Sequence, residues 1–419
     1  MDVKVCIIGA GPAGLMAAIC AGSRQTPPLV VEANAAAGRK LLLTGGGRCN
    51  FTHAGDPGEL VKAFGAAGRF LRHSLYELAP DDMREFFLSR GLASTVETDG
   101  CVFPRNRRAT DVLNILLVEA QKVGVQLRFR YRVTDVATGA DGFRIHTQDR
   151  EVLAARLIIA AGGVSWPQTG SRGDGYHLAA QLGHTIVPPK PALIPLVTRE
   201  TWPDTLAGVS LPRVRIRAVA AGRRLATAGH MLFTQNGIGG PAVLDLSRLL
   251  ADELGPGHDG IDIRIDVLPE MDESQLDGHL QEQCRTWPRK TVANVLFELV
   301  PRQFSRTLCR VAQCDGEQQA GQLPAGKRRR LAQTIKSLPL CVTGTEPIAK
   351  ATVTHGGVNR EEIDAQTMES KICPGLFFAG EVIDADGPCG GYNLQMCWST
   401  GALAGRSAAC SLLDRSVST

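Results

Sequence analysis

No C-x-x-C pair occurs anywhere in this 419-residue chain, although it holds twelve cysteines. That absence excludes a dithiol relay of the kind disulfide reductases use, and no cysteine spacing matches a metal-ligand set. Cys6, Cys20, Cys309 and Cys397 sit inside apolar runs. They read as small core residues kept reduced, which makes the cytoplasm the expected location. Aromatics are scarce at 5%, in a composition otherwise ordinary for a globular protein, with 44% hydrophobic and 21% charged residues. Net charge is only +4, carried mostly by scattered arginines. So mild and dispersed a charge argues against a nucleic-acid partner. The one dense run, Lys327-Arg328-Arg329-Arg330, falls in a helical pattern and reads as a solvated face. An unbroken apolar span is missing too. Residues 5–23 carry no charge, but Gly9, Gly11, Pro12 and Gly14 interrupt them, and Asp2 beside Lys4 denies them the basic flank of a signal peptide. No membrane span is expected, and oligomeric state has no sequence signature.

What is present is concentrated at the two ends. Residues 3–8 are a short apolar run rich in β-branched residues and read as a buried parallel strand. Gly9-Ala10-Gly11-Pro12-Ala13-Gly14 follows at G-x-G-x-x-G spacing, then a helical pattern, then a second apolar run ending in Glu32, eighteen residues after Gly14. This is a complete βαβ unit for a dinucleotide: Gly9 for the tight turn, Gly11 for close approach of a pyrophosphate, Gly14 for helix packing. The helix N-terminus would face the phosphates, and Glu32 the ribose hydroxyls, which favours FAD or NAD over NADP. With no second G-x-G-x-x-G, no separate nicotinamide domain is visible.

Further along, Arg39, Lys40, Thr44, Gly45, Gly46, Gly47, Arg48, Cys49 and Asn50 form a glycine-rich, basic stretch. Three consecutive glycines are entropically costly, so a partner must approach that backbone, and the arginines and lysine can donate charge-assisted hydrogen bonds to anionic oxygens. Residues 133–137, 142–147 and 152–155 read as an antiparallel meander, with Val133 as a backbone contact to adenine. Residues 157–163 read as a buried strand ending at Ala161, Gly162 and Gly163. The proline-rich 188–191 marks a break, beyond which 192–267 reads as short strands with a helix at 242–254, and 273–337 as helices. Residues 375–384 read as a strand, a turn glycine at Gly380 and acids, with Glu381 the first and Asp384 the second candidate for a carboxylate on a ribityl chain. Gly391, Tyr392, Asn393 and Leu394 would aim the last helix at the edge of a redox ring. His355 is a candidate acid, while Cys49 and Cys389 read as packing.

The motifs at 3–32, 38–50, 161–176, 231–244 and 375–395 together resemble the bacterial HI0933-like flavoprotein family, which includes the YhiN and BaiN proteins. The resemblance implies an α/β fold: a two-dinucleotide-binding, Rossmann-like FAD domain formed by 1–190 and 346–419, interrupted at 191–345 by a β-barrel-like and small helical insert. It implies an FAD-dependent oxidoreductase that moves a hydride through flavin N5 to or from a small organic substrate, with NAD(P)H as donor. The alternative is an FAD-holding redox sensor or assembly protein with little turnover. Gly9 to Gly14 and Glu32 would hold the ADP half, and Arg39, Lys40, 45–50, Gly380, Glu381 and 391–394 the flavin half. No catalytic residue or metal site is assigned.

Overall fold

The computed structural model describes residues 2–148, 150–255 and 258–416. The N-terminal motif forms β1 (Val3–Ile8), α1 (Pro12–Ala21) and β2 (Leu29–Glu32). β1 is flanked by β2 on one side and by Glu151–Ile159 on the other, all parallel, while Gln126–Phe129 and Leu376–Phe378 extend the sheet. Val30, Ile7, Ile158 and Phe377 stand in one row across these strands and are fully buried. Burial of each such side chain is worth about 1.5–3 kcal/mol. The meander completes the seven-stranded sheet through Gly142–Thr147 and Val133–Gly139. Residues 152–155 and 157–159, which read as separate strands, are one strand of nine residues. No turn residue separates them, and Arg156 between them is buried, its guanidinium satisfied by Oγ and O of Ser411 at 2.7 and 2.6 Å.

The chain divides into two compact units, Met1–Lys190 with Thr352–Thr419, and Pro191–Ala351. The division at Lys190–Pro191 falls within the proline-rich stretch. Prolines 188, 189 and 191 lie in the strand Ile186–Ala192, which pairs only with Val353–Val358 in a two-stranded sheet, an edge position where a missing N–H is tolerated. In the first unit α1 is apolar on every side and is accordingly buried. It packs backbone to backbone on the last helix, Tyr392–Ser416: a Cβ at Gly401 would stand 2.4 Å from the Ala13 carbonyl oxygen, and one at Gly405 2.2 Å from that of Ala17.

The second unit is a closed six-stranded barrel with helices attached. Ser210–Ala220 shows the alternation that closes it, with Val214, Ile216, Ala218 and Ala220 inward and Arg215, Arg217 and Val219 outward. The closing strand, Leu338–Thr345, has no counterpart in the sequence reading; it pairs with Ile261–Asp266 and Leu196–Thr198. Its longer helices are Pro241–Leu249, Glu273–Thr286, Arg302–Val311 and Ala325–Lys336. Among the described residues no helix is long and apolar enough to cross a membrane.

Two glycine substitutions should act in opposite directions in urea unfolding. Gly405→Leu must push α1 from the last helix and is expected to lower stability by about 3 kcal/mol. Gly278→Ala, mid-helix and facing open space, is expected to raise it by about 1 kcal/mol. Equal effects would contradict the close helix contact.

Candidate functional site

The glycines of the first turn have separate tasks. Gly9 is left-handed at φ +105°, and a Cβ there would meet the Ala160 carbonyl oxygen at 2.5 Å. A Cβ at Gly14 would lie 1.9 Å from the Gly9 carbonyl oxygen. At Gly11 a Cβ would meet no protein atom within 4 Å, so the backbone there is open. Gly11 is also the N-cap of α1 and supplies no side-chain cap, which leaves the N–H groups of Ala13 and Gly14 without a capping side chain, Pro12 having none to offer. Glu32, buried at 9% exposure, accepts from the Ala10 N–H at 2.8 Å through Oε2 and from Asn34 N and Nδ2 at 2.8 and 2.7 Å through Oε1. A carboxylate has about four acceptor positions, so Glu32 retains capacity for a ribose hydroxyl. Arg39 is tied down by Asn34 Oδ1 at 2.8 Å and the Gln168 carbonyl at 3.0 Å.

The second constellation centres on Glu381. Its Oε1 accepts from Thr354 N at 2.9 Å and Ser165 Oγ at 2.7 Å, and its Oε2 from Lys40 Nζ at 2.5 Å. Lys40 also donates to Ser165 Oγ at 2.6 Å, and Thr354 Oγ1 accepts from Val164 N and Ser165 N at 2.9 and 3.1 Å. Gly163 must be glycine here, because a Cβ would come within 2.3 Å of Thr354 Oγ1. The four contributors follow, or in Thr354's case begin, separate strands, and the pattern is that of ligand sites at the carboxyl ends of a doubly wound sheet. The Tyr176 hydroxyl is buried without a hydrogen-bond partner, and burial and the Glu381 charge push its phenol up. Gly380, left-handed at φ +76°, packs on Ala13 and turns the chain into Glu381. Asp384 is paired with Arg360 at 2.5 Å.

The glycine-rich stretch makes a left-handed turn, with φ of +57°, +67° and +84° at Gly45, Gly46 and Gly47 and +61° at Cys49. An L side chain pays about 1–2 kcal/mol for that backbone, which is why three glycines stand together. Arg48 serves the turn itself: Nε donates to the Gly45 carbonyl at 2.8 Å and the guanidinium lies 4.6 Å over Phe103. Thr44 Oγ1 donates to the Leu41 carbonyl at 2.6 Å, and Asn50 Oδ1 accepts from Val102 N at 3.1 Å. Cys49 is buried and its thiol pushed up to about 12 by desolvation, the state of a packing residue. Asn50 and Thr52 approach Gly391 so closely that a Cβ there would meet the Thr52 carbonyl oxygen at 2.3 Å. Tyr392 stacks on His53 at 4.3 Å, Asn393 clamps Gly387 through both main-chain groups at 2.8 and 2.9 Å, and Leu394 is buried. Val133, on its meander strand, is buried opposite Thr147.

His355 follows Thr354 on Val353–Val358, and its Nδ1 is 2.6 Å from Oδ2 of Asp386, which is 6% exposed. Sequence reasoning named the histidine but missed its carboxylate, thirty-one positions away. Ser165, Thr354, Asn34 and His53 were also missed. The only signal for Ser165 and Thr354 is a small hydroxyl residue where an apolar strand meets glycine. Among the described residues no group of three or more His, Cys, Asp or Glu could hold a metal.

The family model described as HI0933-like protein Rossmann domain matches residues 3–407. The chain belongs to the HI0933-like family. It is 33% identical to the 3-dehydro-bile acid delta(4,6)-reductase of Clostridium scindens, covering 97% of this chain and 99% of that protein. It is 32% identical to the ribosomal RNA dihydrouridine synthase of Escherichia coli, covering 94% and 95% respectively. Among solved structures, the open form of a flavocytochrome c3 fumarate reductase aligns with TM-score 0.51 at 16% identity, covering 98% of this chain and 79% of that one. A 3-ketosteroid delta1-dehydrogenase from Sterolibacterium denitrificans does so with TM-score 0.51 at 14% identity, covering 97% and 99%. The fold is therefore the Rossmann-type flavoenzyme fold.

The residues present fit FAD: an uncapped helix N-terminus, open backbone at Gly11, and a carboxylate at the end of β2 with acceptor positions to spare. This makes Gly11 and Gly14 separable by substitution. Gly11→Val should leave the melting temperature of the apoprotein within a few degrees of the parent while abolishing the yellow flavin absorbance of the purified protein. Gly14→Val should destroy both, because it collides with the protein itself. Retained flavin in Gly11→Val would remove the pyrophosphate from this turn.

Proposed function

We propose that this chain is an FAD-dependent reductase that saturates a C=C bond conjugated to a carbonyl, with NAD(P)H as electron donor. The observation that carries the reading is the His355–Asp386 pair, one residue beyond the Thr354 N–H that holds Glu381. A proton donor with its own orienting carboxylate thus stands beside the candidate ribityl anchor. The relatives support the same reaction class from a second direction. One is named for reducing a 3-dehydro-bile acid at delta(4,6), and two, at 32% and 29% identity, for making dihydrouridine in ribosomal RNA. Dihydrouridine is uridine saturated at the C=C bond next to a ring carbonyl, so both names describe addition of two hydrogens to an electron-poor double bond.

FAD, when bound, supplies the two-electron hydride chemistry. The protein's share is binding, orientation and one proton. Glu32 and the N-terminus of α1 hold the ADP half, and Lys40, Ser165, Thr354 and Glu381 position the ribityl end. The N-terminus of Tyr392–Ser416 places positive dipole character where negative charge develops. Asp386 accepts from Nδ1–H of His355, so it is the imidazolium form that delivers the Nε2 proton to the carbon adjacent to the carbonyl, leaving a neutral ring that is reprotonated from solvent. One C=C π bond is lost, two C–H bonds form, and one NAD(P)H is oxidised. With no second dinucleotide motif, NAD(P)H and substrate enter the same cleft in turn.

The two halves of the reaction can be followed separately by anaerobic stopped-flow absorbance. NADH or NADPH should bleach the flavin of the parent and of His355→Gln equally. Reoxidation by a 3-keto-4-ene steroid or by uridine-containing RNA should be about 100- to 10,000-fold slower in the variant. Asp386→Asn should shift the pH profile of reoxidation without changing bleaching. Equal reoxidation rates would strip His355 of this role. Failure of both nicotinamides to bleach the parent would favour the redox-sensor reading instead.

A further inference from the structure

The helical part of the second unit is basic over most of its length. The chain average of +4 conceals it: between Arg285 and Lys336 eleven lysines and arginines face only three acids, Glu298, Asp315 and Glu317. Arg302, Arg306 and Arg310 recur every fourth residue along Arg302–Val311, so they line one face, and all three are exposed while Phe304, Leu308 and Cys309 on the other face are buried. Like charges at that spacing repel. Their one ion pair among the described residues is Arg306 with Glu317 at 3.4 Å, both largely exposed, where such a pair contributes little.

The neighbouring helix, Ala325–Lys336, repeats the pattern. Lys327 and Arg330 are exposed near its start, where the macrodipole favours acids, and its first turn contains none. Arg328 is neutralised by both carboxylate oxygens of Asp277 at 2.8 and 3.0 Å, and Lys336, at the far end of the helix, by Asp266 at 2.7 Å. The two basic sets are contiguous. Cys314, in the turn that ends the first helix, donates to the Lys327 carbonyl at 3.4 Å, and its thiol lies in the field of Lys327 and Arg330. Trp287, 44% exposed beneath Lys290 at 3.8 Å, presents a ring nearby: the Pro288 and Lys290 carbonyls accept from Gly321 and Ala320, just ahead of this helix. The apolar faces of both helices are spent on the core, so no amphipathic surface remains to enter a lipid layer.

We propose that this face, formed by Arg302, Arg306, Arg310, Lys327 and Arg330 with Trp287 at its margin, docks the phosphate backbone of an RNA substrate. The inference rests on the reductase reading and selects, from its two substrate types, the uracil base carried in RNA. A free steroid or other small enone would need no such surface. A polyanion repays the mutual repulsion of the arginines and the unfavourable dipole position of Lys327 and Arg330, and the exposed indole offers a base a stacking platform.

The test uses the flavin-loaded full chain and a fluorescently labelled, uridine-containing single-stranded RNA of about 30 nucleotides, read by anisotropy between about 0.05 and 0.3 M salt. The triple variant Arg306→Glu, Arg310→Glu, Lys327→Glu should bind about 10- to 100-fold more weakly near 0.1 M salt and lose about two units of the log–log salt slope. A control reversal of exposed cations in the first unit, Lys62→Glu, Arg69→Glu, Arg72→Glu, should bind like the parent. Arg306→Lys with Arg310→Lys should retain most binding, because charge rather than geometry is being read. All variants should show parental melting temperatures and parental flavin bleaching by the nicotinamide. If the triple variant binds RNA as the parent does while the parent saturates uracil in that RNA, the surface assignment is overturned and the reductase reading stands. If the parent binds no RNA, or binds it only as it binds a poly-glutamate competitor, the proposal is overturned; reoxidation by the small enone then still decides the reductase reading.

Discussion

The carboxylate of Glu381 is the point on which the first unit converges. Lys40, Ser165 and the Thr354 N–H reach it from three other segments of chain, lying 341, 216 and 27 residues away. Each is short and directional, and two come from groups that would be costly to leave unpaired in a partly buried setting. The network fixes four separate segments in register with one another before any ligand arrives. Such preorganisation lowers the cost of holding a flexible dinucleotide, since the protein groups have already given up their freedom. His355, one residue after Thr354 on the same strand, is held by Asp386.

That convergence depends on backbone packing close enough to exclude side chains. Gly14 against the Gly9 carbonyl, Gly163 against Thr354, Gly391 against Thr52, and Gly401 and Gly405 against α1 all lack room for a Cβ. Gly11 is the exception, since nothing in the protein crowds it. A glycine demanded by the fold and a glycine reserved for a ligand therefore look alike in the sequence and differ in the structure.

The second unit follows a different logic. Its barrel closes through alternating strands, and its helices spend their apolar faces on the same core. Its charge is strongly basic between Arg285 and Lys336 and acidic over the rest of the unit, a distribution that a chain-wide net charge averages away.

The sequence by itself determined the parts whose signal is local. The βαβ unit, the glycine turns and the order of strands are written in periodicity and in residues a few positions apart, where backbone sterics act directly. Glu32 and Glu381 were legible because each ends a strand in a recognisable motif. Tertiary structure alone decided what depends on distant residues meeting. It merged 152–155 with 157–159 into one strand, carried prolines 188–191 in an edge strand, and closed the barrel with 338–345, whose pairing partners lie far off in the chain. It paired Asp384 with Arg360, joined Lys40 to Glu381, and put Asp386 behind His355. Hydrogen bonds between residues hundreds of positions apart leave no periodic trace, so only the folded chain can display them.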